Sequence, residues 1–196
     1  MKKLICLVLA VMLMVSLTNA FAESVFDYTV FPTTEYNIKI DEFAMTGGLG
    51  GSIEFWDNTD RHSFRHEESN AHVSVLYPSV AIEQSHGFFV FGLIYTAKSW
   101  LYINTVYFKV GDETYSFEVF HPRTQVLDTG DIAELMQVVV ASAETNEMME
   151  KWIAYDDDIR VRFLGSYGYV DFTLSDTIKD DATEMYLLYK KGEGLE

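Results

Sequence analysis

The chain has 196 residues, of which 30 are acidic and 14 are basic, so its net charge is −16 at pH 7. An excess of negative charge repels phosphate backbones and anionic lipid surfaces, which argues against nucleic-acid binding and against membrane attachment through a basic patch. Aromatic residues make up 15% and prolines number only three, a composition of folded rather than disordered chains.

The first 22 residues have the layout of a secretory signal peptide. Lys2 and Lys3 precede an apolar stretch, residues 4–17, in which only Ser16 is polar, and Ala20-Phe21-Ala22 follows as a small-x-small exit. We predict cleavage after Ala22, with Ala20 as the second choice and an uncleaved N-terminal anchor as the alternative. The apolar stretch is short for a spanning helix, and no later stretch is long and apolar enough to cross a membrane. The protein is therefore expected to be exported, either secreted or associated with the cell envelope.

Removal of this segment changes the chemistry of the remaining chain. Cys6 is the only cysteine, so residues 23–196 contain no thiol, which excludes disulfides and thiolate metal sites. The remaining 174 residues carry 12 basic and 30 acidic side chains, a net charge of −18. We expect them to form a single exported β-rich domain, stabilised by its apolar core. A solvated acidic surface explains the charge without any partner.

Period-two alternation predicts strands over most of the first two thirds. Strands are predicted at residues 36–40 and 52–56, from residue 73 onward, at 87–95 and at 100–110. The segment 87–95 is almost continuously apolar and is predicted to be a central strand covered on both faces. The glycine-rich run 47–51 lacks the pattern of a phosphate-binding loop and is interpreted as a mobile loop.

Two hairpins are predicted. The first folds residues 106–119 about a four-residue loop, Gly111 to Thr114, and pairs Phe108 with Phe117. The second has its turn at Gly165-Ser166-Tyr167-Gly168 and places Arg162 across from Asp171 on the solvated face. The charges on this face are interpreted as strand solubilisers rather than as a site.

Two helices are predicted in the last third. One spans residues 144–155, with Met148, Met149, Trp152 and Ile153 on one stripe; a longer helix from Asp131 is the alternative to a strand at Val138-Val139-Val140. The other begins at an N-cap, Ser175, and ends at Gly192. The Met and aromatic positions of both helices are interpreted as core. The fold class is therefore α+β and strand-dominated: an antiparallel β-sandwich or curved sheet with two short helices in the C-terminal third.

The C-terminal part resembles a module of exported bacterial proteins that have no assigned function. The likeness covers about residues 88–190. The likeness consists of the order of the elements. A helix is followed by two hairpin segments and a second helix, and the segments are Ile159-Arg160-Val161-Arg162-Phe163-Leu164-Gly165 and Val170-Asp171-Phe172-Thr173-Leu174. The resemblance implies a fold and an exported setting, and it brings no catalytic residues with it.

Few residues suggest chemistry. His62 and His66 share a face in a helix or a strand, and with Glu67 or Glu68 they form a weak candidate zinc site; Arg61 and Arg65 oppose it by their charge. The acidic runs 156–158 and 180–181 lack the glycine and the alternation of a calcium loop. No hydrolase signature occurs, and no catalytic residue or cofactor is assigned.

The surplus of tyrosine and tryptophan suggests a ligand surface. Tyr107, Tyr167 and Tyr169 fall on polar faces or turns of the predicted hairpins, where a flat aromatic patch would suit a carbohydrate or a protein; cross-strand packing is the alternative explanation. The expected function is an exported, non-catalytic binding or accessory domain whose partner is an extracytoplasmic protein or carbohydrate. An extracytoplasmic hydrolase acting on polysaccharide or peptide, and a structural envelope protein, are the alternatives.

Overall fold

A computed structural model describes residues 25–41, 50–56, 63–65, 72–83, 85–140 and 143–195. Within these ranges a short 3-10 helix (Tyr28–Val30) precedes eleven strands and two α-helices. The strands are β1 (Tyr36–Asp41), β2 (Gly50–Phe55), β3 (Ser63–Arg65), β4 (His72–Glu83), β5 (His86–Ala97), β6 (Ile103–Val110), β7 (Glu113–Glu118), β8 (Phe120–Val126), β9 (Ile132–Val140), β10 (Arg160–Gly165) and β11 (Gly168–Thr173). The helices are α1 (Ala143–Ala154) and α2 (Asp176–Gly192).

The strands form two antiparallel sheets. The large sheet has the order β1-β2-β4-β5-β9-β8, with β3 also paired to β4, and the small sheet has the order β11-β10-β6-β7. The predicted α+β class, with antiparallel sheets and two helices, is confirmed. Strand β5 lies between β4 and β9 and is buried along most of its length, as the continuous apolar run predicted.

Side chains from both sheets and both helices form one core. The ring of Phe91, on β5, lies 5.2 Å from that of Phe108, on β6, and 5.8 Å from that of Trp152, on α1. On α2, Tyr186 makes an edge contact with Phe89 at 5.5 Å. The helical Met and aromatic positions are therefore core, as predicted. Ile153, the fourth residue of the predicted stripe on α1, is not part of the core, because it lies in the last turn of the helix with 39% of its surface exposed.

The first hairpin has the predicted faces and a different register. Phe108 pairs with Tyr115 and Val106 with Phe117, so the strands are shifted by two residues from the predicted pairing. The connection is the two-residue turn Gly111-Asp112, in which Gly111 has φ +61, as the first central residue of a II′ turn requires. A shift of two leaves every side chain on its predicted face, which is why alternation alone did not detect it.

The second hairpin has the predicted register throughout. Gly165 pairs with Gly168, and Arg162 pairs with Asp171. The predicted cross-strand ion pair is present: the Arg162 Nε and Nη2 atoms each donate to a different carboxylate oxygen of Asp171 at 2.6 Å. Alternation would allow a shift of two residues here as well, so the turn bounded by Gly165 and Gly168 determined the pairing.

Both helices begin within a residue of their predicted starts. Because residues 132–140 form β9, the alternative of one long helix from Asp131 is wrong. Ser175 occupies the N-cap of α2 with extended backbone, although its side chain makes no capping hydrogen bond.

Gly50 and Gly51 belong to β2 rather than to a loop; residues 42–49 lie outside the described ranges. No helix in the described ranges has the length and apolar character needed to cross a bilayer.

Candidate functional site

Three exposed aromatic side chains and one half-buried one cluster at one end of the small sheet. We call Trp100, Tyr102, Tyr167 and Tyr169 the aromatic patch. Trp100 stacks on Tyr102 with 5.6 Å between ring centres, and Tyr102 lies 5.5 Å from Tyr167. Tyr102, Tyr167 and Tyr169 are 45%, 76% and 59% exposed. Together with Ser99 they line an open depression of about 750 Å³.

The loop that carries half of the aromatic patch is held from beneath by a buried carboxylate. Glu134, on β9, is only 2% exposed. Its Oε1 accepts hydrogen bonds from the backbone N–H groups of Leu101 at 2.6 Å and Tyr102 at 2.8 Å, and its Oε2 accepts one from Ile103 at 2.9 Å. Hydrogen bonds to an ionised acceptor are roughly twice as strong as neutral ones, so three of them compensate much of the cost of burying the charge.

The same loop is held on its carbonyl side by the turn of the second hairpin. The Tyr167 N–H donates to the Leu101 carbonyl at 3.3 Å, and the Ser166 N–H donates to the Tyr102 carbonyl at 3.2 Å. Gly165 allows this close approach, since a Cβ there would lie 2.1 Å from the Leu101 carbonyl oxygen. The loop and the turn are thus locked together, and the rings they carry are presented in a fixed arrangement.

Strand β6 begins later than predicted because of this arrangement. The sequence predicted a strand from Trp100 to Val110, whereas β6 begins at Ile103. The N–H groups of residues 101–103 bond to the Glu134 carboxylate, and Tyr102 adopts a left-handed backbone with φ +52. Trp100 and Tyr102 therefore lie in a loop at the surface instead of in a strand.

An ion pair connects the start of this loop to the start of β9. Lys98 Nζ contacts the Asp131 carboxylate, whose other oxygen accepts a hydrogen bond from the Thr129 hydroxyl at 2.8 Å. These interactions, with the Lys98 hydrogen bond first, hold the pKa of Asp131 below its usual value. Beneath the aromatic patch, burial raises the pKa of Tyr95, and the negative charge of Glu134, its cross-strand partner, adds to this.

A second recess lies on the outer face of the small sheet and joins the aromatic patch. We call it the basic groove. It has a volume of about 660 Å³. Its charged and polar lining residues are Tyr107, Lys109, Thr114, Arg160, Arg162, Asp171 and Thr173. The Arg162 guanidinium lies 4.1 Å from the centre of the Tyr169 ring, so this cation connects the groove to the patch.

Carboxylates in these two recesses are few. The residues that line the depression of the aromatic patch include no Asp or Glu within the described part of the chain. In the basic groove Asp171 forms a bidentate pair with Arg162, and this hydrogen-bonded pairing raises the pKa of Arg162. A glycoside hydrolase needs two carboxyl groups facing each other across its cleft. Within these two recesses the described residues do not include two carboxyl groups that face each other across a cleft.

The residues predicted as sites fall in several places. Ala20, Ala22, His62 and His66 lie outside the described residues. In the ranges that the structure describes, no three His, Cys, Asp or Glu side chains are grouped to hold a metal ion. Residues 156–158 are exposed between α1 and β10, whereas Asp181 is buried on α2. Tyr167 and Tyr169 are exposed as predicted, and Tyr107 is partly buried on the outer face.

Sequence reasoning missed Trp100, Tyr102 and Glu134. One signal was available for Glu134. In β9 the buried positions Ile132, Met136 and Val138 alternate, and Glu134 occupies the same face. A carboxylate at an inward position of an apolar strand needs hydrogen-bond donors from elsewhere in the chain. The pattern could have indicated that such donors exist, although it could not have identified them.

Comparisons with protein-family models, with curated proteins and with solved structures find no match to this chain.

Proposed function

We propose that this protein is an exported, non-catalytic binding domain that holds a carbohydrate on the aromatic patch. The observation that carries the proposal is that hydrogen bonds to the backbone hold the rings of the aromatic patch in a fixed arrangement at the surface. Trp100, Tyr102 and Tyr167 form a continuous run of ring contacts at the surface. Exposed aromatic residues are costly to solvate, and adjacent ones mark interaction sites more often than scattered ones do. The proposal that the protein is exported rests on residues 1–22, which have the layout of a secretory signal peptide.

A carbohydrate suits this surface for two reasons. Tyrosine and tryptophan offer an apolar ring face together with a polar rim, which complements a sugar ring with its C–H face and its hydroxyl edge. The patch is also preorganised, because its loop is hydrogen-bonded to Glu134 on one side and to the turn at residues 166–167 on the other. Preorganisation reduces the entropy lost on binding, and open surface sites depend on it for affinity.

The test is binding of soluble polysaccharides to the purified protein, followed by isothermal titration calorimetry and tryptophan fluorescence. The probes are a β-glucan, a xylan and polygalacturonate. We expect at least one of them to bind, with a change in emission from Trp100. Tyr102→Ala and Tyr167→Ala are each expected to weaken binding by at least about tenfold, which corresponds to about 1.4 kcal/mol.

Trp56→Ala is the matched control. Trp56 is 55% exposed, follows β2 in the large sheet, and does not line the depression of the aromatic patch. Its replacement is expected to leave the affinity unchanged. The proposal fails if none of the three polysaccharides binds, or if Trp56→Ala weakens binding as much as Tyr167→Ala does.

A further inference from the structure

Two cations lie side by side in the basic groove without a counter-charge. Arg160 on β10 and Lys109 on β6 are directly paired across the antiparallel ladder. Like charges in this position repel and destabilise a sheet. Among the described residues, neither takes part in an ion pair. Although the chain has 30 acidic residues, none of them is the cross-strand partner of Arg160 or Lys109 in this row.

The row that contains these cations consists of hydrogen-bond donors from edge to edge. Thr173 pairs with Arg160, and Thr114 pairs with Lys109, so the order across the four strands is Thr173, Arg160, Lys109, Thr114. All four side chains line the basic groove. Arg162, two residues further along β10, differs because its guanidinium group is hydrogen-bonded to the Asp171 carboxylate. The groove therefore has two uncommitted positive charges flanked by two hydroxyl groups, a set that complements a carboxylate.

The aromatic patch continues from this row along the same face. Leu164 is four residues beyond Arg160 on β10 and pairs with Tyr169 of the patch. Four residues of strand span on the order of 13 Å, so an extended chain could contact both recesses at once. Tyr107 and the Arg162–Tyr169 stack fill the space between them.

We infer that the ligand is a carboxylate-bearing polysaccharide, with sugar rings on the aromatic patch and a uronate carboxylate between Arg160 and Lys109. This inference rests on the proposed function and specifies its ligand class. The net negative charge of the protein opposes any long polyanion, so the positive pair has to outweigh this repulsion for the uronate that lies in the groove. An acidic peptide fits less well, because extended peptides bind strand edges, and the backbone groups on this face are already used within the sheet.

The experiment compares polygalacturonate with its fully methyl-esterified form, which keeps the sugar and loses the charge. We expect the acid form to bind at least about tenfold more tightly at low salt, with the difference decreasing as the salt concentration rises. Lys109→Glu and Arg160→Glu are each expected to remove this preference while leaving binding of the ester unchanged. Lys39→Glu and Arg123→Glu, at exposed positions of the large sheet, are controls of equal charge change and are expected to preserve it.

Two results would overturn the inference. Equal binding of the acid and the ester, unaffected by Lys109→Glu, would show a neutral glycan ligand and leave the proposed function standing. Tighter binding of polyglutamate than of polygalacturonate, lost in the same variants, would assign the groove to an acidic peptide. Failure of all glycans would reject the proposed function itself. Unfolding midpoints of each variant in urea identify any loss of binding that comes from loss of folding.

Discussion

Glu134 and Tyr102 are joined by a hydrogen bond of 2.8 Å between a carboxylate that is 2% exposed and the backbone of a residue whose side chain is 45% exposed. The bond connects a buried position of the large sheet to the surface loop of the aromatic patch. Leu101 and Ile103 donate to the same carboxylate. The position of exposed rings is therefore set by a buried residue that does not line the depression itself.

Replacing Glu134 is expected to destabilise the fold and the aromatic patch together. In Glu134→Gln the side-chain amide can accept through one oxygen only, and its NH₂ group faces a donor. We expect the free energy of unfolding in urea to fall by about 1–3 kcal/mol, because a buried N–H is left without its acceptor. Glu118→Gln, at an exposed position of β7, is the control and is expected to change stability by less than about 0.5 kcal/mol. Equal midpoints for the two variants would contradict this role of Glu134.

Gly165 is expected to be required for the contact between loop and turn. In Gly165→Ala the new Cβ meets the backbone of Leu101 at 2.1 Å, and a backbone cannot move aside as a flexible side chain can. We expect a loss of about 1–3 kcal/mol in unfolding free energy, together with a reduced near-ultraviolet circular dichroism signal from the separated rings. Ser166→Ala, at the next and exposed position, keeps the backbone hydrogen bond and should retain both properties. A wild-type signal from Gly165→Ala would refute the locked arrangement.

The ion pair of Asp131 is expected to make part of the stability depend on acidity. The folded-state pKa of Asp131 is lowered from 3.8, so its contribution is fully present above that value and is lost as the pH falls through the lower folded pKa. We expect Asp131→Asn to destabilise the protein at about pH 6, and this effect to decrease as the pH falls below 3.8 and through the lower folded pKa, because the wild-type carboxylate then becomes protonated and loses its ion pair.

The measurement is the thermal unfolding midpoint of the wild type and of Asp131→Asn across this range. Asp128→Asn, at an exposed position in the same turn, is the control and should follow the wild type at every pH. A constant difference between Asp131→Asn and the wild type from neutral to acid pH would show that the Lys98–Asp131 pair does not contribute through its charge.

Local patterns determined much of the fold. Alternation placed the inward and outward faces of β1, β6 and β10 correctly, because successive side chains of a strand point to opposite faces. The continuous apolar run predicted β5 as a strand covered on both faces. The turn at Gly165 to Gly168 determined the Arg162–Asp171 pair, since it leaves one register. In the first hairpin alternation determined the face but not the register, because a shift of two residues conserves every face.

The candidate site was decided by tertiary structure. Trp100 and Tyr102 reach Tyr167 only because Glu134, more than 30 residues away, bonds the loop between them, and because Gly165 allows the turn to approach. Arg160 was interpreted as a strand solubiliser and Lys109 was only placed on the polar face of its hairpin. Their like-charge pairing exists only through the contact between β6 and β10. Sequence periodicity reports which face a residue occupies. Which residues share a face across strands distant in sequence depends on strand order and register, and those are set by the packing of the whole core.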